Sequence, residues 1–209
     1  MPTPAPDIML RLRRDTAAIH AATEQLPLMA ALLADEGTAD DYRRYLSALH
    51  GIYLAVEPAL YTAVPPTVLE QLGVRPKLPA LRRDLAALGA PPAQPAAGWP
   101  SRLRAHVSSE PAALGGLYVL EGATLGGRVI ARRLRARWRG QARRLPFEFL
   151  EFRGADPAGE WRRFSAGVRA RVEHWARAGN ACDAAVVAGA VALFEAMHQS
   201  LREVRPPGR

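Results

Sequence analysis

The sequence predicts an all-α, multi-helical protein, and three observations support this. Apolar residues recur at helical spacing along most of the 209-residue chain, whereas the alternation of apolar and polar residues that is typical of strands is missing. Capping residues and prolines divide the chain into about eight or nine helical segments. The central segment, from Gly115 to Leu134, reads as one helix without proline, and it contains five glycines.

Helix boundaries in the N-terminal half follow from caps and prolines. Asp7 caps the first helix, and Thr38 caps a long third helix that Pro65 and Pro66 end. A glycine at the end of a helix is typical of a C-terminal cap, and Gly89 closes the fourth helix in this way. The predicted helices of this half cover residues 7–23, 28–34, 39–63 and 78–89.

The C-terminal half is predicted to hold four more helices, separated by a proline- and alanine-rich connector and an aromatic loop at 145–157. We expect a single domain over residues 7–204, with flexible tails at 1–6 and 205–209. The last helix starts from a cap at Asn180 or Asp183. The predicted helices of this half cover residues 101–107, 110–134, 156–178 and 183–201.

Composition excludes several classes of protein. The chain is long enough for a sizeable core, and its single cysteine, Cys182, rules out an internal disulfide framework. The N-terminus lacks the apolar stretch of a signal peptide, and no run approaches the roughly 18 apolar residues that span a bilayer. We therefore expect a cytoplasmic protein without a membrane segment.

Positive charge is concentrated in one segment. The net charge is +8, and eight arginines with no acidic residue lie between Arg128 and Arg144. Such a segment suits an anionic ligand, an acidic protein or nucleic acid. Scattered arginines elsewhere, such as Arg82 and Arg162, also fit a composition-driven surface. Both interpretations stay open from the residues alone.

The glycines of the central helix need an explanation. Each interior glycine costs about 0.5–1 kcal/mol relative to alanine. The five are Gly115, Gly116, Gly122, Gly126 and Gly127. Either another helix packs closely against this backbone, or a flat, rigid ligand lies on it.

The histidines argue against a compact zinc or di-iron site, since no two of the five lie at i, i+4 with a carboxylate between them. Phosphate-binding loops and nucleophile elbows are also absent from the sequence. His20 is the one histidine with an informative position, because it follows an apolar helix face with Arg13 two turns upstream. A neutral imidazole opposite a backbone-lined wall suits heme iron.

Two motifs carry a resemblance to a known family. LRRDTAAIHAATE, residues 12–24, is similar to the proximal-helix signature of the biliverdin-forming heme oxygenases, and YVLEGATLGGRVI, residues 118–130, resembles their distal helix. The resemblance covers about residues 8–204 and is strongest to the bacterial, bacteriophytochrome-associated branch.

The resemblance implies a heme oxygenase-like fold with heme between the proximal and distal helices. His20 would be the iron ligand, and Gly122, Gly126 and Gly127 would let the distal helix bend over the porphyrin. Ala123 stands where mammalian-type members carry an aspartate, which leaves proton delivery unassigned. The other heme-contacting residues that the resemblance implies are Arg13, Thr16, Glu24, Tyr118 and Arg128.

The implied reaction is oxidative cleavage of heme to biliverdin, CO and ferrous iron, with O2 as co-substrate. An acidic electron donor such as ferredoxin, flavodoxin or a reductase would supply electrons, and a bacteriophytochrome would accept the pigment. We predict neither a nucleic acid nor a membrane as a partner.

Three alternatives remain. Ala123 is compatible with a heme-binding or heme-trafficking protein without turnover. The presence of Cys182 leaves open a thiaminase-like enzyme on the same fold. The arginine-rich segment leaves open a helical protein that binds nucleic acid.

Overall fold

The computed structural model describes residues 7–91, 94–138 and 145–204. Within these ranges the chain forms nine α-helices and no strand, which confirms the all-α prediction. The helices are α1 Ile8–Glu24, α2 Pro27–Leu33, α3 Ala39–Ala63, α4 Pro66–Leu72, α5 Leu78–Ala87, α6 Trp99–Arg104, α7 Glu110–Arg137, α8 Pro157–Arg177 and α9 Asp183–Arg202.

Side-chain caps begin several helices as predicted. The Asp7 carboxylate accepts a hydrogen bond from the backbone N–H of Met9 at 2.9 Å. Thr38 and Asp41 form a capping box at the start of α3. These contacts satisfy backbone donors that have no partner inside the helix.

Several helix ends differ from the predictions: α6 ends at Arg104 rather than at residue 107, and α7 ends at Arg137 rather than at residue 134. Three further differences concern the starts of helices. Pro66 does not only end α3 but starts α4, because proline is well tolerated in the first helical turn. α6 begins at Trp99, two residues before the predicted start. The N-cap of α9 is Cys182, and Asp183 lies in the first turn, where its carboxylate pairs with Arg11 of α1.

α9 makes the most extensive contacts with other helices in the described part of the chain. It packs along α7 over the most extensive helix–helix contact of the described residues, and it also packs against α1. Glycines permit the close approach: a Cβ at Gly189 would lie 2.5 Å from the Ala112 carbonyl oxygen, and a Cβ at Gly115 would lie 2.6 Å from the Ala190 nitrogen. Buried apolar side chains from all nine helices form one cluster.

The segment before α8 has turns and no regular element, as predicted. Its aromatic residues anchor it: Phe149 is buried, and its backbone N–H donates to the Asp84 carboxylate of α5 at 2.9 Å. The segment therefore lies fixed along α7, against Gly127.

Among the described helices, α9 is long and apolar enough to cross a membrane, and α3 with α4 passes the same test only as a sharply bent pair. Half of the α9 stretch is buried inside the fold. Its position against α1 and α7 accounts for its apolar character. The expected tails at 1–6 and 205–209, and Arg139, Arg143 and Arg144, lie outside the described residues.

Candidate functional site

α1 and α7 form the two walls of the candidate site. α9 packs against both of them, whereas α1 and α7 share no extensive contact in the described part of the chain. Because side chains repeat every 3.6 residues, His20 shares one face of α1 with Arg13 and Glu24. On α7 the same rule aligns Gly122 with Gly126.

His20 presents an accessible imidazole. Its side chain is 61% exposed, and its Nδ1 lies 3.7 Å from the Glu24 carboxylate. The ring meets Phe194 of α9 edge to face, with centroids 5.9 Å apart. The carboxylate of Glu24 therefore lies beside Nδ1, one turn further along the same helix.

No group of three or more metal-ligating side chains occurs in the described residues. A metal at His20 would therefore need its remaining ligands from another molecule. A porphyrin supplies four nitrogen ligands in a plane, so a single protein imidazole is sufficient for heme iron.

The glycines of α7 divide into two groups. Gly115 and Gly116 face neighbouring helices, since added Cβ atoms would meet Val186 and Ala190 at the first position and Leu60 and Leu193 at the second. Nothing lies within 4 Å of a Cβ added at Gly122 or Gly126. Close packing of helices therefore explains Gly115 and Gly116, whereas Gly122 and Gly126 leave the backbone of α7 open.

Gly127 belongs with the packing glycines, which corrects the expectation that it borders the ligand. A Cβ at Gly127 would lie 2.7 Å from the Leu150 carbonyl oxygen and 3.0 Å from the Leu150 Cα. The steric need for glycine at this position comes from the 145–155 segment behind α7.

The open side of α7 is apolar. Leu125 is 36% exposed and Val129 is 47% exposed, and helical spacing places both near Gly122 and Gly126. The third exposed large apolar residue of the described chain is Leu10, on α1. Exposed apolar side chains beside bare backbone favour a flat hydrophobic ligand.

Tyr118 and Thr16 connect the two walls. The Tyr118 side chain lies beside Thr16 of α1, whose hydroxyl donates to the Leu12 carbonyl oxygen at 2.7 Å. Burial raises the pKa of Tyr118, while the neighbouring Thr16 hydroxyl and the Arg13 charge oppose that shift. The phenol therefore stays neutral at physiological pH. Its ring lies 5.9 Å from the ring of Trp161 in α8.

The two cationic residues predicted to contact heme, Arg13 and Arg128, lie in different surroundings. Arg13 is exposed on the face of α1 that carries His20. Arg128 donates to the Gly154 carbonyl oxygen at 2.8 Å and borders a cavity of about 400 Å3 that does not include His20. Arg128 is thus turned towards the 145–155 segment, because a backbone acceptor is available there.

The arginine-rich segment is partly structural. Arg135 pairs with Glu151, and Arg137 donates to the carbonyl oxygens of Leu32 and Leu33 at 3.0 and 3.1 Å. Arg132 and Arg133 are exposed and have no hydrogen-bond or ion-pair partner among the described residues. Of the four arginines at 132–137, these two are therefore unpaired in the part of the chain that the structure describes.

Sequence reasoning missed a buried charge cluster beside the glycines. Lys77, Glu121 and Arg153 are 1%, 4% and 2% exposed. Glu121 pairs with both cations, and its distance to Arg153 Nη2 is 2.6 Å. The available signal was a glutamate directly before Gly122 in a helix that is otherwise apolar there.

Together, these observations define a helical protein that presents an accessible imidazole on α1 and a bare stretch of backbone on α7, two helices that both pack against α9. Comparison with known proteins identifies the group to which it belongs. The family model for heme oxygenase matches residues 7–203. The chain belongs to the heme oxygenase family.

Individual relatives agree with this assignment. A protein named heme oxygenase from Xanthomonas campestris pv. campestris (strain 8004) is 39% identical over 180 residues, which is 86% of this chain and 100% of that protein. Among solved structures, heme oxygenase from Leptospira interrogans has a TM-score of 0.76 at 19% identity, covering 94% of this chain and 99% of the other. Heme oxygenase-1 from the cyanobacterium Synechocystis sp. PCC6803, solved in complex with heme, has a TM-score of 0.69 at 16% identity and covers 94% and 91%.

Proposed function

We propose that this protein binds heme between α1 and α7 and cleaves it oxidatively to biliverdin, CO and ferrous iron. The observation that carries the proposal is the exposed imidazole of His20 on one wall, together with the open glycine backbone at Gly122 and Gly126 on the other. Membership of the heme oxygenase family supports the same substrate.

The residues of the cleft fit heme. His20 offers one nitrogen ligand, Leu125 and Val129 offer apolar contact, and the glycines leave room for a flat ring. When bound, heme supplies the iron that activates O2, so few catalytic side chains are needed. Arg13 provides a cation for a heme propionate on the His20 side of the cleft.

The remaining roles are assigned to backbone and solvent. Glu24 orients the His20 imidazole through Nδ1. Ala123 offers no acid, so we propose that water held by backbone groups of α7 near Gly122 and Gly126 delivers protons. Gly127 supports this arrangement from behind, by allowing Leu150 to pack against the helix.

An acidic electron carrier such as ferredoxin, flavodoxin or a reductase is the proposed redox partner. Arg132 and Arg133 lie on α7 beyond the open glycines, and their charges are unpaired in the described residues. We also propose a cytoplasmic location and, from the two motifs alone, a bacteriophytochrome as the acceptor of biliverdin.

One alternative function, a heme-binding or heme-carrying protein without turnover, is supported by a specific residue. Ala123 lacks the carboxylate that would hold a water network, which favours a protein that binds or carries heme without degrading it. The thiaminase-like alternative is weaker, because Cys182 is the N-cap of α9. The nucleic-acid alternative is also weaker, because Arg135 and Arg137 are tied to Glu151 and to α2.

A spectroscopic assay of His20→Ala tests the proposal. Wild-type protein titrated with hemin should develop the spectrum of histidine-ligated heme, and ascorbate in air should convert that species to a bile pigment. His20→Ala should lose both properties and regain turnover when imidazole is added, since free imidazole can replace the missing ligand.

His174→Ala is the matched control, because His174 is an exposed histidine on α8. This variant should behave as the wild type. Stable heme binding by the wild type without pigment formation would support the carrier alternative, and an unchanged spectrum in His20→Ala would overturn the ligand assignment.

A further inference from the structure

The buried cluster of Lys77, Glu121 and Arg153 is the feature that the proposed reaction does not use. The Glu121 carboxylate contacts the Lys77 ammonium with one oxygen and Arg153 Nη2 with the other, the latter at 2.6 Å. A buried ion cluster is a poor source of stability, because desolvation of each charge offsets the attraction between them. Its best-attested use is to fix the register of packed elements.

The cluster is hydrogen-bonded to the backbone of α7 directly before Gly122. Arg153 also donates to the Glu121 carbonyl oxygen at 3.2 Å, and the Tyr53 hydroxyl donates to the Leu120 carbonyl oxygen at 3.3 Å. Lys77 comes from the connection before α5, Arg153 from the segment before α8, and Tyr53 from α3. Three separate parts of the chain thus hold one turn of α7.

Such anchoring matters because the next turn has no packing on its open side. Gly122 and Gly126 make no side-chain contacts towards the cleft, and glycine gives the backbone extra freedom. The position of the bare backbone is therefore set by the packed face of this turn, where Thr124 is buried, and by the contacts on either side of it. The cluster supplies them before Gly122, and Leu150 supplies them behind Gly127.

A second set of contacts leads from the cluster to the opposite wall. The Arg153 guanidinium lies 5.5 Å from the centre of the Trp161 ring, which lies 5.9 Å from the ring of Tyr118. Tyr118 lies beside Thr16 on α1. The same arginine that holds Glu121 is thus connected, through two aromatic rings, to the helix that carries His20.

We infer that Glu121, held by Lys77 and Arg153, is a positioning residue that sets the distance of the α7 backbone from a ligand bound at His20. This inference rests on the proposed heme site. Glu121 does not itself contact the ligand, since its carboxylate is buried against the two cations.

Glu121→Gln tests the inference in the heme-loaded protein. Glutamine keeps the size of the side chain and one acceptor but removes the charge that holds both cations. The C–O stretching band of the ferrous CO complex should shift or broaden, because it reports the groups next to the bound gas. Ascorbate-driven turnover should fall about tenfold or more, as expected for small displacements of a site. Heme affinity should stay within about twofold, since His20 and the apolar walls are unchanged.

Glu110→Gln is the matched control. Glu110 is in the first turn of the same helix and pairs with Arg171 at 2.7 Å, three turns before Gly122. This variant should leave the CO band and turnover unchanged. The double variant Glu121→Gln, Lys77→Gln covers the case in which an unpaired buried lysine prevents folding, and it should show the same altered band.

The outcomes separate the inference from the proposed function. An unchanged CO band and wild-type turnover in the Glu121 variants would overturn the inference, even if the melting temperature fell. Wild-type protein that binds heme without degrading it would overturn the proposed reaction, while the CO band would still test the position of α7.

Discussion

At the scale of single residues, the glycines of α7 meet different structural requirements. Gly115 is required by a neighbouring backbone, whereas Gly126 faces open space. Spacing alone offered both explanations for all five positions, because it does not say which face of a helix meets another helix. The family resemblance placed Gly122, Gly126 and Gly127 beside the ligand, without separating Gly127 from the other two. The contacts of α9 and of Leu150 make the distinction.

Alanine substitutions at these two glycines should have opposite effects on the apo protein. Gly126→Ala should raise the free energy of unfolding by about 0.5–1 kcal/mol, because the new methyl group meets nothing and alanine is the better helix former. Gly115→Ala should lower it by about 1–3 kcal/mol, because the methyl group would clash with Val186 and Ala190 of α9. Urea denaturation of both variants measures this.

Heme provides the second half of the same prediction. Gly126→Ala should weaken hemin binding or slow turnover despite its greater stability, because its methyl group would occupy open space that the proposed site gives to the heme. Wild-type affinity and turnover in this stabilised variant would mean that the ligand does not lie against Gly126.

At the scale of helices, contacts between distant segments satisfy backbone groups at helix ends that have no partner nearby in the sequence. The last carbonyl groups of α2 have no local cap, and Arg137 of α7 donates to two of them. The start of α1 combines both kinds of contact. Asp7 accepts from the N–H groups of Met9 and Leu10, as its sequence position predicts, and it also pairs with Arg169 of α8.

The Asp7 contact predicts a pH-dependent stability. The Arg169 hydrogen bond, aided by the backbone N–H groups, lowers the pKa of Asp7 in the folded protein. A folded-state pKa below the unfolded value means that this stabilisation is complete above about pH 4 and is lost as the pH falls through the folded-state pKa.

Asp7→Asn isolates the effect, because asparagine is an equally good N-cap but carries no charge for Arg169. The difference in unfolding free energy between wild type and variant should be constant near neutral pH and should shrink towards zero in acid. A difference that does not change with pH would show that the Arg169 contact contributes nothing through charge.

At the scale of the whole molecule, fewer arginines of the arginine-rich segment are unpaired than the sequence suggests. Of the described arginines in the arginine-rich segment, Arg128, Arg135 and Arg137 hold parts of the fold, which leaves Arg132 and Arg133 free on one side of α7. Complementary charge mainly increases the rate of encounter with a partner, and exposed charges are screened beyond about 8–10 Å at physiological salt.

Neutralising these two residues should therefore slow only protein-driven turnover. In Arg132→Gln, Arg133→Gln, turnover with an acidic ferredoxin should fall several-fold at low salt and depend less on ionic strength, whereas turnover with ascorbate should be unchanged. The control Arg82→Gln, Arg162→Gln changes net charge equally at exposed arginines on α5 and α8. Equal losses with both reductants would assign the two arginines to heme binding or folding instead.

The sequence by itself determined the all-α class, most helix boundaries and the two motifs of the site, because caps, prolines and apolar periodicity act over a few residues. It also singled out His20 and the glycines of α7, since an unusual residue in a helix is visible without a structure. Only the tertiary structure decided which glycines remain open, which arginines remain free and that Lys77, Glu121 and Arg153 meet. These contacts join residues from 16 to more than 100 positions apart. Whether a charge is paired or a glycine is covered depends on packing between helices, and no local pattern encodes that packing.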